Sequence, residues 1–324
     1  MDTMAIITSN EAQQNPAYMY LVSLPSEASR STMKNALNII ARKILNIEDA
    51  GRRKKHDGEN DLFLVNWHEL RYQQTSLLQS WLMKKYKPAS ARRMIAAIKG
   101  VMKAAWRMGL VNGEDYLRAV DLGRIPGKNI SGRMLATDEL IKLLETCRKG
   151  APKRAARDAA IITLMAGCGL RRTEVSTLAL SDLDMENGKL VVMGKGKIQR
   201  TAYPTNGTRA SMVEWLKIRG DDPGPLFYAI VKSDEMMMRP MSSIGIFVMV
   251  QERQKKAGLP PFSCHDLRRT CISNWIDVTD LSTASKMAGH SNPQTTVIYD
   301  KRGEARKIEA SQKMHIPYTK PEEW

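Results

Sequence analysis

The chain has few cysteines, no long apolar run and no obvious metal-binding spacing. Its four cysteines show no C-x-x-C pairing, so a disulfide framework or a zinc site is not expected. Residues 161–170 form the longest nearly uncharged apolar stretch, about half of the ~20 residues that a membrane helix needs. Polar residues near the start interrupt the apolar core of any signal peptide. These absences exclude a secreted, membrane or metal-stapled protein and predict a cytoplasmic one.

The chain has a large excess of positive charge. Lys and Arg total 50 against 34 Asp and Glu, which gives a formal net charge of +16 in 324 residues. A pI near 9.7 is typical of proteins that bind nucleic acid, an anionic membrane or an acidic protein. The charge therefore favours a nucleic acid as the partner, although a merely basic protein would show the same excess.

The first part of the chain has a helical pattern. Residues 1–25 show no sustained apolar period and are predicted to be a flexible lead-in, whereas residues 26–120 are predicted to form a helical domain. Apolar residues recur at helical spacing from Ser31 to Ile44, and a second such stretch runs from about Trp67 to Tyr86. Ser90 and Gly109 are a typical N-cap and stop for a third helix. Its predicted buried stripe contains Met94, Ile95, Ile98, Val101, Met102 and Ala105.

Two sets of basic residues in this part are candidates for phosphate contact. On the third helix, Lys99 follows Arg92 by seven positions and Lys103 follows Lys99 by four, so the three share a face with Arg107 at its edge. The second set lies between the first two helical stretches and comprises Arg52, Arg53, Lys54 and Lys55. Either set could lie along a nucleic-acid backbone, and either could be an ordinary solvated surface.

The second part of the chain alternates between helical and strand patterns. Residues 121–133 combine Gly, Pro, Lys and Arg without an apolar period and predict an exposed basic linker. Beyond it, residues 134–316 are predicted to form an α-rich domain, followed by a tail at 317–324. Within this domain Lys189–Met193 and Gln199–Tyr203 are predicted strands joined by a Gly-Lys-Gly-Lys turn. The overall prediction is a mainly α protein with a small antiparallel β-hairpin.

Five short segments of this second part carry chemically useful side chains. In chain order they are G-L-R-x-x-E with Arg171 and Glu174, the hairpin turn with Lys195, H-x-L-R from His265 to Arg268, G-H with His290, and I-Y with Tyr299. Each alone has an ordinary structural explanation, such as a surface ion pair or a turn lysine. Together and in this order they resemble the catalytic domain of the tyrosine recombinase (phage integrase) family. The resemblance spans about residues 135–311, and residues 26–120 look like the family's helical core-binding domain, which clamps DNA.

The resemblance implies that Tyr299 is a nucleophile. Its phenol would attack a DNA phosphodiester and keep the phosphate as a 3′-phosphotyrosine, while Arg171 and Arg268 would bind the non-bridging oxygens. Elementary chemistry fits these roles, because two forked guanidiniums suit the charge that a phosphoryl-transfer transition state gathers on its equatorial oxygens. A tyrosine with a reference pKa near ~10 is a weak nucleophile until a base or a field assists it.

The resemblance assigns the remaining residues to proton movement and support. His265 and His290 would hydrogen-bond the phosphate or assist proton movement, and Glu174 would support the site. Lys195 would protonate the departing 5′-oxygen, with Lys197 in the same turn as the alternative donor. No cofactor or metal is expected, since exchanging one phosphodiester for another is close to energy-neutral and the sequence has no G-x-x-x-x-G-K-[ST] phosphate loop.

The resemblance also implies partners. The expected substrate is a double-stranded core site bound by two protomers, with a tetramer when two sites synapse and accessory proteins unspecified. With only about 25 residues before the first helix, the chain resembles the simple two-domain type without an arm-binding domain, from a bacterial or phage source. Residues 303–316 could link protomers or pack on their own chain. The alternatives are a type IB topoisomerase and a DNA-binding relative that has lost the reaction.

Overall fold

The computed structural model describes residues 14–47, 61–127, 132–194, 198–290, 292, 294–300, 308 and 311–314. The chain separates into two compact units, Met1–Ile130 and Ser131–Trp324, so the division falls inside the predicted linker. Helices dominate both units and the strands are short, which confirms the predicted mainly α fold. Within the described ranges no helix is both long and apolar enough to cross a bilayer.

The first unit is built from helices packed on one apolar core. They are α1 (Pro16–Val22), α2 (Glu27–Ile44), α3 (Tyr72–Lys85), α4 (Pro88–Arg107) and α5 (Gly113–Val120), with 3₁₀ turns at Asp61–Phe63 and Trp67–Glu69. The stripe predicted on α4 is buried at every position named for it. Gly109, in the left-handed region at φ +74°, follows the last turn of this helix as predicted.

Two local predictions for the first unit are wrong. The expected flexible lead-in contains α1, because Asn15 caps its start by accepting a hydrogen bond from the Ala17 amide at 2.9 Å, and Ala17 and Leu21 are buried in the core. This helix is too short to show a sustained period in the sequence. The predicted helix from Trp67 is divided into a 3₁₀ turn and α3, because the buried Trp67 indole is fixed by donating to the Leu62 carbonyl at 2.7 Å.

Much of the predicted linker is fixed against the first unit. Ile125 is buried in its core, and the Arg92 guanidinium donates to the carbonyls of Ile125, at 3.2 Å, and of Gly127. On α3, Gln79 donates to the Gly123 carbonyl at 2.6 Å. The guanidinium of Arg92, a candidate for phosphate contact in the sequence, is therefore hydrogen-bonded to the backbone of its own chain.

The second unit combines helices with two small antiparallel sheets. Its helices are α6 (Thr137–Arg148), α7 (Pro152–Gly167), α8 (Arg172–Val175), α9 (Asn206–Arg219), α10 (Ser243–Lys256), α11 (Cys264–Val278), α12 (Leu281–Ala288) and α13 (Gln294–Val297). The strands are β1 (Leu183–Asp184), β2 (Lys189–Met193), β3 (Gln199–Ala202), β4 (Tyr228–Ile230) and β5 (Met236–Pro240). The predicted hairpin is β2–β3, paired with Val191 opposite Thr201, and β1 extends it to three strands.

The second sheet contains a methionine-rich strand, and α8 is a single turn. The methionine-rich segment from Ser233 to Met241 contributes β5, which pairs with β4. Met is not enriched in strands, so the sequence carries no signal for it. Helix α8 covers Arg172–Val175 and is followed by a 3₁₀ turn at Leu180–Asp182.

A buried charge network joins α7 to α10 beneath the site. Asp158 accepts from Arg157 Nη2 at 2.7 Å through one carboxylate oxygen and from Arg253 Nη2 at 2.7 Å through the other. All three side chains are almost fully buried. Because a buried charge is tolerated only when it is paired and hydrogen-bonded, this network fixes the position of α7 against α10. The end of α7 leads into the first site segment at Gly169.

Candidate active site

Helix α11 supplies two of the predicted site residues. His265 and Arg268 stand three apart, so they lie on the same side of the helix. The helix begins with a reciprocal cap in which Asp266 accepts hydrogen bonds from the amide and hydroxyl of Ser263, at 2.8 and 2.9 Å. This cap fixes the first turn and so the direction in which His265 points.

Tyr299 lies against that face of α11. Its side chain is buried, with 5% of the residue exposed, and its phenol oxygen is 3.0 Å from Nε2 of His265. Its backbone carbonyl accepts a hydrogen bond from Ser273 Oγ at 3.2 Å. Tyr299 follows His265 by 34 positions in sequence. Its phenol therefore lies in the site of its own chain.

Arg268 is the most deeply buried side chain of the site. It has no exposed surface, and it donates through Nη1 to the Gly169 carbonyl and through Nη2 to the Ala288 carbonyl at 2.6 Å. Its Nε has no partner within the described residues. Burial, and then the nearby charge of Arg171, lower the pKa of Arg268 to about 10, so the guanidinium still carries its charge at neutral pH.

Both histidines of the site are held in the neutral form. His290 Nε2 lies 3.0 Å from Arg268 Nη2 and Nδ1 lies 2.8 Å from Thr296 Oγ1. Since the arginine can only donate, Nε2 accepts and the ring proton is on Nδ1. Burial and the charges of Arg268 and Arg171 lower the pKa of His290 to about 4. Burial and the charges of Arg268 and Arg269 also lower the pKa of His265, so its ring can accept a proton.

Arg171 and Glu174 are joined as the sequence suggested. Arg171 Nη1 donates to Glu174 Oε1 at 2.6 Å, and the Arg171 amide donates to Oε2 at 2.9 Å. Burial alone would raise the pKa of Glu174, but hydrogen bonds from Arg200 and Arg171 outweigh it and lower the pKa. The Arg171 side chain is still about one-third exposed, so part of its guanidinium faces outward from this buried carboxylate.

A third arginine, which the sequence analysis missed, completes this cluster. Arg200 on β3 donates through Nη2 to Glu174 Oε2 at 2.9 Å and through Nε to the Met287 carbonyl at 3.2 Å. It also packs against Gly289, where an added Cβ would lie 2.8 Å from Arg200 Cδ. Arg200 therefore links the Glu174 carboxylate to the turn that carries His290. The only signal was its place on the same strand face as Ala202.

Removing Arg200 tests this link. We expect Arg200→Met to reduce the free energy of unfolding by roughly 1–3 kcal/mol, since the buried Glu174 carboxylate loses one charged hydrogen-bond donor and keeps Arg171 as its cationic partner. The double variant Arg200→Met, Glu174→Gln should recover part of that loss. Urea unfolding measures both, with the exposed Arg209→Met as the matched control. An Arg200→Met protein as stable as the wild type would contradict the assignment.

Three of these site residues, Arg171, His265 and Arg268, line an open cavity. Its volume is about 390 Å³, and its lining includes Arg171, Arg172, Phe247, Cys264, His265 and Arg268. A cavity lined by three arginines and a neutral imidazole suits a phosphate group. Among the residues with described coordinates, no group of three or more His, Cys, Asp or Glu is placed to hold a metal ion.

The other predicted site residues are distributed as follows. Lys195 and Lys197 lie outside the described residues, but a Cβ built on Gly194, just before them, would lie 4.0 Å from Glu174 Oε1. The basic cluster Arg52, Arg53, Lys54 and Lys55 is also outside them. On α4, Lys103 and Arg107 are exposed and Lys99 is half-buried.

Known proteins are similar to this chain in sequence and in fold. The sequence profile of the phage integrase family matches residues 133–306. The tyrosine recombinase XerC of Corynebacterium glutamicum is 27% identical over 245 residues, which cover 74% of this chain and 77% of that protein. Among solved structures, XerH site-specific recombinase bound to a palindromic difH substrate in a post-cleavage complex has a TM-score of 0.61 at 21% identity, covering 85% of this chain and 75% of that one. A lambda integrase dimer bound to a COC′ core site has a TM-score of 0.57 at 16% identity, covering 88% and 80%.

The fold and the site together define a tyrosine-type site-specific recombinase, an enzyme of DNA recombination. A helical unit precedes an α-rich unit in which a buried tyrosine meets the H-x-L-R helix, and the solved structures of this fold include recombinase–DNA complexes. The chain belongs to the phage integrase family.

Proposed function

We propose that Tyr299 is the nucleophile with which this recombinase cleaves and rejoins double-stranded DNA. The observation that carries the proposal is the 3.0 Å contact between the phenol oxygen and His265 Nε2, beside the buried pair of Arg268 and His290. The phenol oxygen forms a bond to phosphorus, the bond from phosphorus to the 5′-oxygen breaks, and the product is a 3′-phosphotyrosine. The phenol proton passes to neutral His265, and Lys195 protonates the leaving 5′-oxygen.

Arg171 and Arg268 bind the non-bridging oxygens in this proposal. Each has donors that are not used by the protein: Arg268 Nε is unpartnered within the described residues, and the Arg171 side chain is partly exposed at the cavity. His290, whose Nδ1 proton is held by Thr296, orients the Arg268 fork. Preformed donors of this kind stabilise developing charge without reorganisation at the moment of reaction. The 5′-hydroxyl of a second strand then reverses the step and seals the new junction, without ATP.

The proposed assembly and location follow from the family and the charge. Two protomers occupy a core site and four form the synapse, with residues 303–316 linking neighbours. The exposed α4 residues Lys103 and Arg107, together with Lys99, contact phosphates, as does the cluster Arg52, Arg53, Lys54 and Lys55. The site of action is the cytoplasm of a bacterial host.

A strand-exchange assay separates this proposal from its two alternatives. Duplexes selected from a random library by the purified protein supply the site, which is then placed in nicked suicide substrates and in paired copies on a supercoiled plasmid. We expect a covalent protein–DNA adduct and recombinant plasmids. Relaxation of the plasmid without recombinants would favour a type IB topoisomerase activity, and binding without an adduct would favour a silent relative.

Lys195 can be tested through the leaving group. Lys195→Ala should slow cleavage of a normal suicide duplex, because the departing 5′-alkoxide loses its proton donor. A duplex with a 5′-bridging sulfur needs little protonation and should restore the rate. The matched control is Lys197→Ala, which should show neither the loss nor the rescue. Rescue confined to the Lys197 variant would move the proton donor to that residue.

A further inference from the structure

Another buried arginine of the second unit, Arg269, lies directly over the ring of Tyr299. Arg269 follows Arg268 on α11, and its Cζ is 4.9 Å from the centroid of the Tyr299 ring. Only 6% of the residue is exposed. The aromatic ring of Tyr299 is thus covered by a buried guanidinium, while its hydroxyl is held by His265.

This guanidinium is poorly compensated. Within the described part of the chain, neither its Nε nor its Nη1 has a hydrogen-bond partner. The nearest carboxylate oxygen is Asp266 Oδ1, 3.6 Å from Nε, which is beyond hydrogen-bond distance. The other oxygen of Asp266 is used by Ser263 in the helix cap. Burying a cation without full pairing costs folding free energy. We therefore expect the Arg269 guanidinium to gain a stronger interaction with Tyr299 at another stage of the reaction.

A negative charge on the phenol oxygen would provide this stronger interaction. A cation over a neutral ring is attracted by the ring quadrupole. Once the phenol loses its proton, the attraction becomes one between opposite full charges in a buried setting, which is stronger. The Arg269 guanidinium therefore favours the phenolate over the phenol.

We propose that Arg269 is a positioning residue that holds the Tyr299 ring and favours its phenolate form during strand cleavage. The proposal rests on the proposed function of Tyr299 and goes beyond it, because it assigns a role to a residue outside the family motif segments as we matched them. Other charged or titratable groups facing the phenol within the described residues are His265 and Arg268 of α11 and His290 after α12. Both histidines are neutral, and among the described residues it is the Arg269 cation that lies over the ring face.

The test changes the charge of residue 269 and keeps its bulk. Arg269→Met removes the cation, Arg269→Lys retains it, and Arg269→Gln replaces Met should that variant fail to fold. The first readout is the single-turnover rate of adduct formation on the suicide duplex across pH. We expect Arg269→Met to lose about tenfold at neutral pH, to regain the rate as rising pH ionises the phenol unaided, and Arg269→Lys to stay near wild type.

The second readout does not depend on the reaction. Fluorotyrosine-labelled protein, with the Tyr299 resonance assigned by its loss in Tyr299→Phe, reports the phenol titration by fluorine NMR without DNA. We expect the midpoint to lie about one pH unit higher in Arg269→Met than in wild type. An unchanged midpoint, or a rate loss equal at every pH, would overturn the role. Should wild-type protein form no adduct at all, the proposed function fails while the titration still decides the role of Arg269.

Discussion

Tyr299→Phe is expected to bind its DNA site with wild-type affinity and to form no covalent adduct. The substitution removes the one atom that attacks phosphorus and leaves the ring, which packs against His290 at a centroid distance of 5.9 Å. Loss of the hydrogen bond to His265 should cost only about 1 kcal/mol of folding free energy. The adduct yield on suicide duplexes should fall by at least roughly four orders of magnitude, as when other enzymes lose their nucleophile.

The matched control for this variant is Tyr203→Phe, which removes a hydroxyl from an exposed tyrosine at the end of β3. It should cleave like the wild type. Binding is measured by titration of labelled duplex at two salt concentrations, because phosphate contacts weaken steeply with salt. An adduct that persists in Tyr299→Phe would show that another residue attacks and would remove the basis of the proposed mechanism.

Local patterns in the sequence predicted those parts of the molecule whose contacts are close in sequence. The apolar stripe of α4 is one such case, since residues three and four apart must share a helix face. The β2–β3 hairpin is another, with the sequence Gly-Lys-Gly-Lys between two short strands. On α11 the three-residue spacing of His265 and Arg268 places both on one side of the helix.

The features that could not be predicted depend on contacts between segments distant in sequence, which no local pattern indicates. Arg200 acts through Glu174, 26 positions earlier, and through Met287, 87 positions later. In the sequence, Arg269 does not differ from the chain's other basic residues. Its position over the Tyr299 ring results from the fold. The helix α1 illustrates the same limit in the first unit, because burial of Ala17 and Leu21 in the core, not a long amphipathic period, stabilises its seven residues.

Arg268→Met should reduce the rate of adduct formation by roughly 10²–10³-fold, the loss of about 2.7–4 kcal/mol that follows removal of one oxyanion donor in other enzymes. The same change leaves the carbonyls of Gly169 and Ala288 without their donor, so the free energy of unfolding should fall as well. Because of this second effect, the rate is measured at saturating DNA and at a temperature where urea unfolding shows the variant to be fully folded.

Arg268→Lys separates charge from geometry at the same position. A lysine keeps the positive charge but lacks the planar fork, so it cannot serve two carbonyls, the Nε2 of His290 and a phosphate together. We therefore expect Arg268→Lys to remain well below wild-type activity, while the exposed Arg148→Met on α6 cleaves normally. A folded Arg268→Met that cleaves within about twofold of wild type would mean that this guanidinium is structural only. The phosphate would then depend on Arg171 and Arg172, the other arginines that line the cavity.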